Sequence, residues 1–517
     1  MKHRPQPEQP SLYDDYFARQ LVPPDHPLVL IDREVDFSFV RELVGDLYSA
    51  ELGREAVDPE LLVRLCFLQS QYGLSDREVI SRAQTDLAFR MFLHLGLEDR
   101  LPHPALLSVF RKRLGRERFQ AIFNQSVTVA VERGLVQGRL VMVDSYSLVA
   151  DVAIPRLRRL LMRVVRGALV RLEALGARTA ELVREQDALS ADESWLQSKA
   201  LQQKDLQAWF ALAQRVREAL AGATVTPEQE ASRLRAVALL DKAVARQLKP
   251  KTNERRDGLV SDVDPEARWS MRERGKKAMV GYKQQVATDP EHEIITAATT
   301  TPANVDDTQP FRDLLAQHQA NTQQQPEAAI ADSGYSSGEN RRFLNEAEIG
   351  DFIAVPTPKG HKQGKFSATD FAPEFDDDGV PQRVRCPAGH VAEGSKWHAE
   401  SQGWNFYFTK GQCEGCALRE RCSKAKRGRT VFVSAYWREY ADACARKDTP
   451  EFLEAQVTRL GIERTFAYQQ RRAGHDRARY RGLERVAIQV YLVCFMVNVV
   501  RIARSAQPRT TPRRRRR

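Results

Sequence analysis

Three acids stand where a metal ion or a reacting phosphate could be held: Asp144, Asp332 and Glu463. Asp144 closes the apolar run Arg139-Leu-Val-Met-Val-Asp144. Asp332 closes Ala328-Ala-Ile-Ala-Asp332, which continues into Ser333-Gly-Tyr-Ser-Ser337. An acid at the tip of a buried strand projects from a rigid scaffold into a crevice. Alone, such an acid reads more readily as a turn or cap residue; the repeated strand-then-acid pattern, with a further acid in a helical context, favours chemistry. Glu463 lies in Gln456-Val-Thr-Arg-Leu-Gly-Ile-Glu463, with helical spacing. Its plain alternative is an ion pair with Arg459, four residues earlier, worth about 0.2–0.5 kcal/mol. Three carboxylates brought together repel and need cations, and oxygen donors of high charge suit Mg²⁺ or Mn²⁺. Two such ions about 4 Å apart activate a water or a 3′-hydroxyl and stabilise the leaving oxygen of a phosphodiester.

A second cluster is soft. Cys413-x2-Cys416-x5-Cys422 supplies three thiols, and Cys386 in Cys386-Pro-Ala-Gly-His390 supplies a fourth, with His390 as its rival. Four such donors make a closed tetrahedral zinc site. The surrounding segment has little apolar content, so a structural Zn²⁺ would help it fold. The plain reading is a group of reduced thiols. Cys66, Cys444 and Cys494 sit among helical residues and read as packing.

The chain of 517 residues is too long for one simple core, and two to four domains are expected. A net charge of +11 and a pI near 9.3 favour nucleic acid as partner. The polar start Met1-Lys-His-Arg-Pro has no apolar segment, and Val486 to Val500 is too short to span a bilayer and is interrupted by Gln489 and Asn498. No membrane association is expected. A cytoplasmic, nucleoid-associated location fits, with the cysteines reduced.

The elements that must position the acids follow from periodicity. Residues 1–137 read as a helical N-terminal domain, opened by caps such as Asp58-Pro59 and carrying a basic stretch at Arg111, Lys112 and Arg113 that would face DNA. Residues 138–155 hold the first strand. Residues 156–256 read as an inserted, coiled-coil-like helical hairpin, either a protein contact or an arm along DNA. Residues 257–356 resume a mixed α/β sheet covered by helices, with a hairpin turning at Asp289-Pro290. Asp289 itself is a rival metal ligand, while Asp262, Asp264, Asp306 and Asp307 read mostly as turn and cap residues. The cysteine-rich segment spans 357–445, C-terminal helices span 446–505, and 506–517 is a basic, disordered tail. After Glu463, Arg471-Arg472 and His475-Asp-Arg477-Ala-Arg479-Tyr-Arg481 suggest a DNA-backbone surface.

Taken together, these motifs resemble bacterial insertion-sequence DDE transposases, in the branch with a cysteine cluster between the second and third acids. The likeness rests on Ser75-Asp-Arg-Glu-Val, Leu106-Leu-Ser-Val-Phe-Arg-Lys-Arg-Leu, Val143-Asp144-Ser-Tyr-Ser, Asp264-Pro-Glu-Ala-Arg268 and Gly281-Tyr-Lys283. It also rests on Thr301-Pro-Ala-Asn-Val-Asp-Asp307, Ala331-Asp332-Ser-Gly-Tyr-Ser-Ser, Arg459-x3-Glu463 and Arg481-Gly-Leu-Glu-Arg-Val running on to Asn498. The resemblance implies a ribonuclease H-like α/β catalytic core and an N-terminal all-α DNA-binding domain. It implies two Mg²⁺ or Mn²⁺ ions on Asp144, Asp332 and Glu463, and DNA ends held by a homodimer or larger assembly. Arg459 would contact DNA. Two positions depart from the family pattern, which has Tyr at position 456 and Lys at position 470. Here both are Gln, so the phosphate grip would pass to Arg471 or Arg472 or be weakened. A metal nuclease of this fold that cuts without joining, or an inactive DNA-binding derivative, are the alternatives.

Overall fold

The computed structural model describes residues 2–3, 21–48, 55–177, 179–247, 258–270, 278–356, 364–393 and 395–507. The expected loose start and basic tail fall outside these residues, apart from Lys2, His3, Ala506 and Gln507.

Among the described residues the first helices are α1 (Pro27–Glu34), α2 (Phe39–Leu43), α3 (Pro59–Tyr72), α4 (Asp76–Thr85), α5 (Leu87–Phe92) and α6 (Ala105–Glu132). Local chemistry sets their starts. Asp58 accepts the Glu60 N–H ahead of Pro59, and Ser75 with Glu78 forms a reciprocal cap on α4. Gly115, at φ +69°, interrupts the helical path of α6.

The central sheet contains β1 (Leu140–Val149), β2 (Met279–Thr288), β3 (Ile295–Pro302), β4 (Ala328–Ala331) and β5 (Gly350–Ile353). Its order is β3-β2-β1-β4-β5. The first three pair antiparallel, and β4 and β5 join β1 in parallel. A short strand, Arg268–Ser270, also pairs with β2. Val141–Val143 of β1 and all of β4 are apolar and buried, as parallel strands covered on both faces must be. Gly281 is required for this packing: a β-carbon there would lie 1.9 Å from the Leu148 carbonyl oxygen.

Between β1 and β2 comes a helical module with its own core: α7 (Leu157–Ala174), α8 (Ala180–Ala191), α9 (Lys199–Ala221) and α10 (Pro227–Val244). Leu161, Val165, Leu169, Trp209, Leu212, Val216 and Leu240 pack together inside it. In place of the expected hairpin, the described residues of this region form four α-helices. Gly176 at φ +77°, the Asp192–Ser194 turn and Thr226-Pro227 break what reads in sequence as continuous helix.

The sheet is covered on one face by α11 (Phe311–Thr322) and α12 (Gly338–Glu346), packed over Val141, Val143, Ala329 and Ala331. The cysteine-rich segment folds into two three-stranded antiparallel sheets. One is β6 (Ala372–Phe375), β7 (Pro381–Arg385) and β8 (Val391–Glu393); the other is β9 (Ser395–His398), β10 (Gly403–Tyr407) and β11 (Thr430–Ser434). Phe371, Val384, Phe406, Phe408, Val431 and Val433 give it a small core that its composition did not suggest. Helices α13 (Trp437–Arg446), α14 (Pro450–Ala473) and α15 (Leu483–Ser505) complete the chain.

Among the described residues α15 is the one helix long and apolar enough to cross a membrane, and 94% of its apolar window is buried inside the protein. It packs on the sheet and on α3 and α6, so that the N-terminal helices and the sheet share one core. Its two polar interruptions are ties. Asn498 exchanges two hydrogen bonds with the Ile295 backbone and donates to Ser126, while Gln489 accepts from Arg479 N and donates to Arg477 O.

Arg341 of α12 pairs with Asp351 of β5 at 2.5 Å, both side chains 1% exposed, and it also donates to Ser336 Oγ and the Ile353 carbonyl. This clamp ties the segment after Asp332 to β5. Arg341→Ala leaves the buried Asp351 charge with the Ile353 N–H on one oxygen and a longer contact to Arg446 as its remaining cation, so a loss of about 3–5 kcal/mol is expected in urea unfolding. An unchanged midpoint would rule out a structural role for the pair.

Candidate active site

Register brings the first two acids together. Val143 of β1 pairs with Ala331 of β4, so the next residues, Asp144 and Asp332, stand side by side where the two parallel strands end their pairing. Asp144 is 7% exposed, and its Oδ1 accepts the Ser145 N–H. Asp332 is half-buried and its Oδ1 accepts the Gly334 N–H, closing the turn into α12.

The third acid arrives on α14. Ile462 and Phe466 of that helix are buried, and the Phe466 ring stacks on Tyr146 of β1 at 5.1 Å between centroids. Gln456 donates to the Phe352 carbonyl at 2.6 Å, fixing the helix to the end of β5. This seating leaves Glu463 exposed and puts Arg459, one turn earlier, 2.5 Å from Asp144 Oδ2. Arg459 therefore pairs with the first acid rather than with Glu463 or an open surface. Burial pushes the Asp144 carboxyl up to about 7, the Asp332 charge adds to this and Glu463 contributes, against the downward pull of Arg459 and Ser145. Asp332 and Glu463 thus both act on the Asp144 carboxyl. Among the described residues, no three His, Cys, Asp or Glu side chains stand close enough to hold a metal ion in this arrangement.

A fourth acid belongs to the same place. Asp307 takes Lys283 Nζ at 2.8 Å and Gln285 Nε2 at 2.7 Å on one oxygen. A β-carbon on Gly334 would lie 3.0 Å from Asp332 Oδ1 and 3.5 Å from Asp307 Oδ2, so the two carboxylates flank one turn. Tyr335, buried below, donates to Gln285 Oε1 at 2.5 Å; burial holds its hydroxyl well above its usual range, and the charges of Asp307, Asp144 and Asp332 add to that. In the sequence Asp307 reads as a turn residue. The available signal was that Lys283 and Asp307 both lie in the segments that carry the resemblance. Asp289 is excluded as a partner of these acids: it lies past Thr288, which pairs with Met142, and accepts the Glu291 N–H in the hairpin turn.

The expected DNA-facing residues divide. Arg111 is a correction: it is buried, bonded to Asp76 at 2.5 Å and to Gln69, and lies over the Tyr480 ring, so its charge is neutralised inside the fold. Arg113 lies over Tyr48, and Lys112 is exposed beside it. Arg471, Arg472, Arg477, Arg479 and Arg481 are all exposed. Arg471 bonds within its own helix, Arg479 donates to the Leu74 and Ala473 carbonyls, and Arg481 donates to the Asp151 carbonyl. His475 is internal, bonded to Gln284 and Gln489, and burial with Arg479 nearby pushes it down to about 3.

All four cysteines of the soft cluster are unbridged and line one pocket with His390. The Cys386 N–H donates to the His390 carbonyl, closing a tight turn; Cys413 and Cys422 each end a single helical turn, and Cys416 lies in the link between those turns. Burial raises the Cys422 thiol, Arg429 lowers it, and the other three cysteines add upward pressure.

Two family models match the chain. A model described as Transposase domain (DUF772) matches residues 16–113, the helices up to the first part of α6. A model described as Transposase DDE domain matches residues 385–503, from just before Cys386 through Glu463 and nearly all of α15. No curated protein and no solved structure matches.

The raised Asp144 carboxyl has a thermodynamic consequence. Its folded value, near 7, exceeds its unfolded one, near 4, so the folded state holds the proton more tightly between them. Stability from this group is present below about pH 4 and is lost as pH rises through about 7. Metal-free Asp144→Asn escapes that loss. Its melting temperature relative to wild type is expected to be higher at pH 8 than at pH 5, and a pH-independent difference would contradict the assignment.

Proposed function

We propose, taking the chain as the insertion-sequence DDE transposase that both family matches support, that it cuts DNA at its element's ends and joins those ends to a target. The observation that carries this reading is the paired register of Asp144 and Asp332 with Glu463 close enough to act on Asp144. The sheet order β3-β2-β1-β4-β5, three strands antiparallel and two parallel to the first, supports a ribonuclease H-like core.

The donor set suits a hard divalent cation: three carboxylates, crowded and partly buried, gain most from added positive charge. Mg²⁺ or Mn²⁺ ions held by Asp144, Asp332 and Glu463 would activate water or a 3′-hydroxyl and neutralise charge on the phosphate. The protein's own residues do the rest. Arg459 has to leave Asp144 Oδ2 for that oxygen to serve as a ligand, and its guanidinium then turns to a DNA phosphate. Arg341 and Asp351 hold the Asp332 turn, and Lys283 with Gln285 holds Asp307 beside it. Positioning of the two DNA strands supplies much of the rate, without a protein nucleophile. Lys112, Arg471, Arg472, Arg477, Arg479 and Arg481 present charge to the DNA backbone. Two ends must be held at once, so the working form is a dimer or larger assembly on DNA.

The four thiols and the tight turn at Cys386 suit a structural Zn²⁺, which a small rearrangement would close. Purified protein is expected to carry one zinc per chain by elemental analysis. Cys413→Ser with Cys416→Ser should lose it; an absence of zinc from freshly purified wild type would remove the site.

The catalytic reading is tested with DNA flanking this reading frame, incubated with wild type, Asp332→Ala and Glu463→Gln in Mg²⁺, Mn²⁺ or chelator. Metal-dependent cuts and joined products are expected from wild type, with a loss of roughly 10³-fold or more in each variant, the scale for removing one member of a catalytic unit. Cuts without joining would indicate a nuclease. DNA binding without cuts in any metal would indicate an inactive derivative, as Gln456 and Gln470 allow.

A further inference from the structure

The helical module between β1 and β2 presents one strongly basic face, on α7. α7 with Arg156 just ahead of it carries six arginines and one acid, Glu173 near its C-terminal end. Two of the six serve the fold. Arg158 pairs with Asp205 at 3.0 Å and lies over Trp195, and Arg171 bonds to the Gly167 carbonyl of its own helix. The other four point out. Arg156 at the helix start and Arg159, Arg163 and Arg166 are exposed. At about 100° per residue, Arg159, Arg163 and Arg166 fall within about 60° of one another, a single stripe opposite the buried Leu161, Val165 and Leu172. Arg163 pairs with Asp262 at 2.9 Å; the other three are exposed and have no ion-pair partner among the described residues.

The stripe continues the basic surface of the loop after α14. Val149 N donates to the Asp476 carbonyl, Ala478 N donates to the Val149 carbonyl, and Arg481 donates to the Asp151 carbonyl. The connector from β1 to α7 therefore lies against the loop bearing Arg477 and Arg481, and Arg156 follows five residues after Asp151. The module is held at this base, with Ser261 Oγ donating to the Ala153 carbonyl and Asp262 on Arg163. From Arg156 to Arg166 the helix rises about 15 Å, the length of four to five base steps at about 3.4 Å each.

We infer that the outer face of α7 is a DNA-backbone clamp: duplex DNA leaving the acid site passes the Arg477–Arg481 loop and is held along α7 by Arg156, Arg159 and Arg166. The inference rests on the DNA-acting reading above. The occupant is duplex DNA because the stripe is rich in arginine, with Asp262 on Arg163 and Glu173 at its far end as its acids, and is matched in span to phosphates; a partner helix would bring apolar positions to it, and Val170 is the exposed apolar residue within it. Binding along α7 is independent of base sequence.

The test uses full-length protein and a mixed-sequence 40-base-pair duplex, with affinity measured by fluorescence anisotropy over a range of salt. The triple variant Arg156→Ala, Arg159→Ala, Arg166→Ala is compared with a control that removes the same charge from other helices of the module, Lys199→Ala, Lys204→Ala, Arg235→Ala. Circular dichroism and melting temperature confirm that both fold. The stripe variant is expected to bind roughly tenfold or more weakly, with a salt slope shallower by about three, one for each phosphate that is no longer neutralised. The control should keep the wild-type slope. Equal affinity and slope in wild type and stripe variant would overturn the clamp while leaving the DNA-acting reading intact. Wild type failing to bind any duplex would overturn both. A stripe variant that loses self-association with unchanged DNA binding would make the stripe a protein contact and overturn the clamp.

Discussion

Parallel pairing of β1 with β4 is the constraint from which the site follows. Matched register puts Asp144 and Asp332 on neighbouring strands, about 4.8 Å apart at the backbone. Two carboxylates at that spacing repel each other, and burial of the first increases the cost. Arg459 offsets part of it from α14, and Lys283 does the same for Asp307 on the other side of the Asp332 turn. A cluster held together at this cost favours whatever brings positive charge. Conflicts of this kind, kept by an otherwise consistent fold, concentrate at functional sites.

The remainder of the fold holds that register. Val141, Val143, Ala329 and Ala331 are packed under α11 and α12, and α15 closes the opposite face. The aromatic cluster of Phe37, Phe67, Phe92 and Phe495 joins the N-terminal helices to α15. Helices read as a separate DNA-binding unit therefore share a core with the sheet that carries the acids. This sharing explains Arg111: a basic residue on a helix that packs inward needs an internal partner, and Asp76 supplies it.

Much of the sheet was legible because buried parallel strands leave an unmistakable trace. Val-Met-Val-Asp144 and Ala-Ile-Ala-Asp332 are short apolar runs that end in an acid, and each is the end of a strand pairing in the sheet. What was not legible depends on contacts between distant residues. Composition marks 156–256 as helical, but the four-helix arrangement is set by breaks at Gly176 and Thr226-Pro227 and by packing around Trp209. The strands of the cysteine-rich segment are short, with polar outward faces, so no periodicity announces them. Asp307 sits next to Asp306, and only the fold shows that Asp306 caps Thr308 while Asp307 turns inward to Lys283. Glu463 was recognisable as an acid on a helix, whereas the choice of Arg459 for Asp144 required knowing that α14 lies across β1.

The central claim is that Asp144, Asp332 and Glu463 together form one cation site. Localised protein cleavage with Fe²⁺ in place of Mg²⁺, in the presence of ascorbate and peroxide, tests it most directly. Hydroxyl radicals made at the bound iron cut the backbone nearby, and the fragments are sized against the full chain. The account predicts cuts around Asp144 in β1, in the turn after Asp332 and in the middle of α14, all suppressed by excess Mg²⁺. Cuts confined to the cysteine-rich segment, or none that Mg²⁺ suppresses, would contradict it.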